Sequence, residues 1–174
     1  MKANYNNRFG FILFVAIFLS AISGLLYAGK IEVPEEEVVK IRFESATPIT
    51  SGTVTKGIPL LIRLEEAIMV GDEILVEKGA QGTAIVSEVE KASKPGKPGK
   101  IKIEFSEIEP KGSYVSLDDS KIKLSGSVES QGKGKKLLSL LFIAGLFIKG
   151  GEAVINTDSV YTATIAESII LESQ

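Results

Sequence analysis

Two pairs of adjacent carboxylates, Glu65-Glu66 and Asp118-Asp119, are the residues of this sequence that invite a reading as acid–base or metal chemistry. Two carboxyls act as acid and base when they flank a reacting bond and their surroundings drive their pKa values apart. Carboxyls that are neighbours in sequence more often mark a solvated face or a turn, and both pairs are read that way. Asp118-Asp119 lacks the Asp-x-Asp-x-Asp-Gly spacing and distal glutamate of a calcium loop, so a turn is expected there. The chain contains no cysteine and no histidine. Disulfides, thiolate metal sites, the commonest general base and the commonest zinc ligand are thereby excluded together. No catalytic residue, metal or cofactor is expected, and the chain is not expected to be an enzyme.

Lysine carries a different chemistry. Residues 91 to 100 read KASKPGKPGK, placing Lys91, Lys94, Lys97 and Lys100 among two prolines and two glycines. One reading is a basic finger for anionic lipid, lipopolysaccharide or an acidic polymer. The preferred reading is a solvated loop between two long strands, unable to pack, whose lysines discourage edge-to-edge association. Further on, Leu137 to Ile148 (LLSLLFIAGLFI) is apolar on every side and is bracketed by Lys133, Lys135, Lys136 and Lys149. As a helix its twelve residues reach ~18 Å, short of the ~30 Å hydrocarbon core of a bilayer. Three placements fit: a buried plug at an open end of the sheet, which is favoured, a helix in a membrane interface, or a contact between copies of the chain. Leu137, Leu140, Phe142, Leu146 and Phe147 are the candidate assembly or membrane contacts.

The elements that must position these residues read as strands. Val39, Ile41 and Phe43 alternate with Lys40, Arg42 and Glu44, a period of two that buries one face. Glu73 to Val89 reads as a hairpin turning at Lys78 to Gly82, with Ala84 and Val86 pointing one way and Thr83, Ile85, Ser87 and Val89 the other. Pro59 places the start of its strand at an edge or a bulge, and Leu60 to Val70 is read as strand in preference to a short helix. Ile101, Ile103, Phe105 and Ile108 mark another strand, Tyr114 to Leu117 a short one, and Ile122, Leu124 and Val128 more. Ala153 to Ile155 and Val160 to Leu171 supply the last two. The expected fold class is all-β: a distorted antiparallel barrel or sandwich with one short apolar helix before the last strands.

The 174 residues, 44% hydrophobic and 24% charged, suit one domain with a real core. Lys2 and Arg8 precede an uncharged run from Phe9 to Leu26, and Ala28 follows at a small-residue cleavage position. The expected organisation is a signal peptide over 1–28, a solvated linker over 29–37 and a β-barrel domain over 38–174. The protein is expected to be exported to the periplasm or outer membrane. The alternative is an inner-membrane anchor formed by an uncleaved run over 9–26. Without residues 1–28 the balance is 18 basic against 22 acidic residues, or −4, which does not favour nucleic acid as a partner.

The order of pieces resembles a known family. Thr47-Pro48-Ile49-Thr50-Ser51, then Leu75 to Gly82 leading into a strand, a Gly-rich loop, an Ile-x-Ile-x-Phe strand and Val115-Ser116-Leu117 resemble the C-terminal β-barrel domain of the outer-membrane-core subunit of type IV secretion and conjugation systems. Glu77 stands where that family carries a turn proline, and Asn156-Thr157-Asp158 where it carries its last turn. The pattern is similar also to small exported bacterial proteins of unassigned function that keep this barrel. In the secretion subunit an apolar helical insertion before the final strands enters the outer membrane as part of a ring, and Leu137 to Ile148 occupies the matching place. The resemblance implies a structural or assembly role in the cell envelope, with a second copy or an outer-membrane protein as partner. The alternative is a ligand-binding module with the lysine loop at the barrel rim.

Overall fold

The computed structural model describes residues 29–116, 118–134 and 149–174. Fourteen strands occur there: β1 (Lys30–Val33), β2 (Val38–Phe43), β3 (Ile49–Thr50), β4 (Pro59–Leu64), β5 (Ile68–Val70), β6 (Glu73–Val76), β7 (Gln81–Glu90), β8 (Lys100–Ile108), β9 (Tyr114–Ser116), β10 (Ile122–Ser125), β11 (Ser127–Gln131), β12 (Val154–Ile155), β13 (Tyr161–Ile165) and β14 (Ile169–Ser173). No helix occurs among the described residues. The leader over 1–28, Leu117, and the helix expected over 137–148 with Leu137, Leu140, Phe142, Leu146 and Phe147 lie outside them.

Alternation along β2 sets the pattern for the whole molecule. Val39, Ile41 and Phe43 are buried while Val38 and Lys40 are exposed, so one side of the strand joins a core and the other meets water. Antiparallel neighbours repeat this in the order β10-β13-β2-β4-β7-β8, and β10 then pairs with β8. The ring closes through Ile122 opposite Ile108 and Leu124 opposite Ile165. A closed six-stranded antiparallel barrel results, and closure removes the exposed edges of the ring. Its interior is filled by Ile41, Ile62, Ile103, Ile108, Ile122 and Ile165, each at most 1% exposed. β11 continues along β8 beyond Gly126, whose φ of 132° is open to glycine and strained for other residues.

Two bulges explain sequence signals that do not alternate. Ile108 falls three residues after Phe105, and Val89 three after Val86. Along the β7–β8 ladder Thr83 faces Glu107 while Ala84 faces Phe105, and Val86 faces Ile103 while Glu88 faces Lys102. One extra residue on one strand at each point returns the next apolar side chain to the inner face. Ile108 is thereby fully buried and Val89 packs against the core, whereas Ile85 stays outside.

Three expectations are corrected. The hairpin over Glu73 to Val89 does not form. β6 pairs with β5 across Gly71-Asp72, the tighter two-residue connection, while β7 pairs with β4 and β8. The chain turns between them at Gly79 (φ 82°), where the Gly79 amide donates to the Leu64 carbonyl. Within the stretch read as a linker, β1 pairs with β14 and fully buries Val33, because Ile31 and Val33 supply an inner face that the charged neighbours hid. The last strand, read as continuous to Leu171, breaks at Ala166-Glu167-Ser168, and β14 leaves the barrel to lie between β1 and β9 in a separate sheet.

Candidate functional site

At one end of the barrel the two longest strands, β7 and β8, are joined by the lysine-rich loop, and this loop is folded. Ser93 and Lys97 exchange backbone hydrogen bonds of 3.0 and 2.9 Å. Ala92, Gly96 and Gly99 are buried, which corrects the expectation that the segment cannot pack. It packs against the two points where the chain leaves for, and returns from, residues 135–148. The Gly132 amide donates to the Gly99 carbonyl (2.9 Å), the Gly99 amide to Gly151 (2.9 Å), the Gly150 amide to Ser93 (3.3 Å) and the Gly151 amide to Lys133 (2.9 Å). These strands of backbone lie so close that only glycine fits: a Cβ on Gly99 would collide with Ser51 Oγ, and one on Gly132 with the Gly151 carbonyl.

Glu152 locks the assembly. β3 pairs with β12, bringing Ser51 beside Ala153. Ser51 is fully buried and donates from Oγ to Glu152 Oε2 at 2.6 Å, while accepting from the Ala153 amide at 3.0 Å. The Ala92 amide donates to the same carboxylate oxygen at 3.3 Å, and Lys149 Nζ pairs with Oε1. The Lys149 ammonium first, then the Ser51 hydroxyl and the Ala92 amide, hold the Glu152 carboxyl down to about 2 from its ordinary 4.5. So acidic a carboxylate is a feeble base, and the Ser51 hydroxyl is shut off from solvent. The pair is therefore a structural clasp rather than a nucleophile and its base.

The lysines of the loop lie on its exposed side. Lys97 pairs with Glu90 at 3.1 Å and Lys100 with Glu88 at 3.3 Å, both on open surface where such pairs contribute little. Lys91 and Lys94 are exposed, as are Lys133 and Lys149 on either side of residues 135–148.

The carboxylate pairs stand elsewhere and do not face one another. Glu65, with only 12% of its side chain exposed, gathers Arg42 (3.1 Å), Arg63 (3.3 Å) and Lys78 (3.7 Å). Arg42 Nε lies within ion-pair distance but lacks the alignment of a hydrogen bond. Glu66 pairs with Lys40 at 2.8 Å. Asp118 caps its turn, accepting from Ser116 Oγ (2.7 Å) and the Ser120 amide (3.2 Å), and hydrogen bonds led by Ser120 lower its pKa. Asp119 follows with φ of 56°. The turn reading holds for Asp118, whereas Glu65 departs from the solvated-face reading: it is largely buried because three cations from different parts of the chain converge on it.

Sequence reasoning missed Ser51 and Glu152. Their pairing spans 101 positions, and neither residue type stands out alone. A signal was present in the glycines at 96, 99, 132, 134, 150 and 151, which crowd both sides of the lysine loop and of the apolar run. No protein-family model matches the chain, and no curated protein matches it.

Proposed function

We propose that this chain is an exported cell-envelope β-barrel with a structural or assembly role, docking at the outer membrane or on copies of itself through Leu137 to Ile148. The observation that carries the reading is the clasped root of that run. The chain departs after Gly134 and returns at Lys149, and one backbone hydrogen bond, Gly151 to Lys133, ties the two sides together on a packed barrel end. An uncharged run of twelve residues held at both ends on a rigid base suits an element offered to a bilayer or a partner. On this reading the run is a short apolar helix whose contacts are Leu137, Leu140, Phe142, Leu146 and Phe147, and residues 1–28 direct export. The role is akin to that of the secretion-subunit barrel, whose apolar insertion precedes its final strands. The ligand-binding alternative is less favoured, because isoleucines fill the barrel interior and the lysine loop is folded down on its end.

The test replaces Leu140, Phe142, Leu146 and Phe147 by serine. The variant is expected to keep its melting temperature and to lose sedimentation with liposomes or self-association. A variant that stays folded and behaves as the wild type in both assays overturns the reading.

A further inference from the structure

Lysines gather at the clasped end. Lys91, Lys94, Lys97, Lys133 and Lys149 are all exposed on the loop and the two roots; Lys97 pairs with Glu90 and Lys149 with Glu152. Ammonium groups grouped on one end of a chain whose overall charge is mildly acidic present that end to negative charge.

We infer that this lysine collar binds the anionic headgroups of a phospholipid bilayer. Three features support this partner. The lysines sit on folded backbone, since the Ser93–Lys97 ladder and the Gly99–Gly151 hydrogen bond fix the loop before any ligand arrives. The loop abuts both roots: Pro98 lies against Gly134, and Gly150 against Lys97 and Pro98. The loop that carries Lys91, Lys94 and Lys97 therefore lies beside the backbone next to both Lys133 and Lys149, on either side of residues 135–148. Finally, the geometry matches a bilayer, in which headgroup charge lies immediately above hydrocarbon; an acidic polymer offers the charge without the apolar layer. Long lysine stems reach phosphates while the collar stays at the surface. Glu152 serves the collar indirectly by holding loop and roots in one piece.

The inference rests on the proposed docking role and names its partner, so the experiment must separate the two. The full chain and a K91Q/K94Q/K97Q/K133Q variant, made in the same exporting host, are floated with vesicles of phosphatidylglycerol mixed with phosphatidylcholine and with vesicles of phosphatidylcholine alone. Lys149 is left intact because it belongs to the clasp. Each lysine near an anionic surface is worth about a fivefold change in partition, so the variant should lose well over tenfold on the anionic vesicles and little on the neutral ones. The wild-type preference should weaken as salt is raised. A K91Q/K133Q variant, at two positions where no clasp bond is made by the side chain, should show an intermediate loss should the fourfold variant fold poorly. Wild-type protein that binds both vesicles equally overturns the collar and leaves apolar docking standing. Wild-type protein that binds neither overturns the collar together with membrane docking. Retention of the anionic preference by the variants, or equally tight binding of the wild type to polyglutamate, overturns the bilayer as the collar's partner.

Discussion

Ser51 and Glu152 meet across 101 residues of sequence, and two predictions follow from how they are bonded. The Ser51 hydroxyl is fully buried and both donates and accepts, so Ser51→Ala strands the Ala153 amide and removes one partner of a carboxylate. A loss of about 1–3 kcal/mol is expected by chemical denaturation; no measurable loss would mean that the clasp does not hold these segments. The second prediction concerns pH. Folding lowers the Glu152 pKa to about 2 from 4.5, so the unfolded chain takes up a proton more readily than the folded one. The stabilisation is complete above about pH 4.5 and drains away as pH falls toward 2. Glu152→Gln should flatten the fall in melting temperature over that window and lower it at neutral pH, where the charged bonds are lost. Asp118 and Glu104 are shifted in the same direction, the first by its serine hydrogen bonds and the second by Lys102. Some acid sensitivity must therefore survive in the variant. A profile of unchanged shape would remove Glu152 from this account.

At the scale of elements, alternation and turn chemistry were legible where one strand paired in simple register. β2 and β8 reveal their inner faces in Val39-Ile41-Phe43 and Ile101-Ile103-Phe105. The false hairpin shows where such reasoning stops. Two β-branched runs joined by a glycine-rich turn invite pairing, but periodicity does not say which neighbour each strand prefers. β6 found a closer partner in β5 across Gly71-Asp72. The charged flanks of β1 hid a strand for a related reason: Val33 is buried by contacts made at the far end of the chain, through β14. The lysine loop was misjudged because composition reports how a segment is solvated alone, not what backbone is brought against it. Glycine was the readable sign of that approach. Gly132→Ala forces a methyl group into the Gly151 carbonyl and should destabilise by about 1–3 kcal/mol, seen as a lower denaturation midpoint with unchanged slope. Tolerance of alanine without loss would show that the two roots do not run as close as described.

For the whole molecule, the closed ring depends on partners far apart in sequence: β13 lies between β2 and β10, and β10 completes the circuit on β8. The all-β class, barrel or sandwich, was visible in the strand count and the apolar faces, but closure of the ring was not, because no local signal joins Ile108 to Ile122 or Leu124 to Ile165. Buried side chains contributed by the six ring strands and by Val33, Leu75, Val76 and Leu171 form one cluster, and the residues on either side of 135–148 are already joined by the Gly151–Lys133 hydrogen bond. Replacing residues 135–148 by a short Gly-Ser turn closes a connection between backbones that already touch, and loop-closure entropy favours the shorter link. The excised protein is therefore expected to fold, with a melting temperature at or above that of the full chain and with circular dichroism still dominated by strand. It should at the same time lose vesicle binding or self-association. Unfolding on excision would instead assign Leu137 to Ile148 to the barrel's own core, as a plug, and would leave the lysine collar without an apolar element to surround.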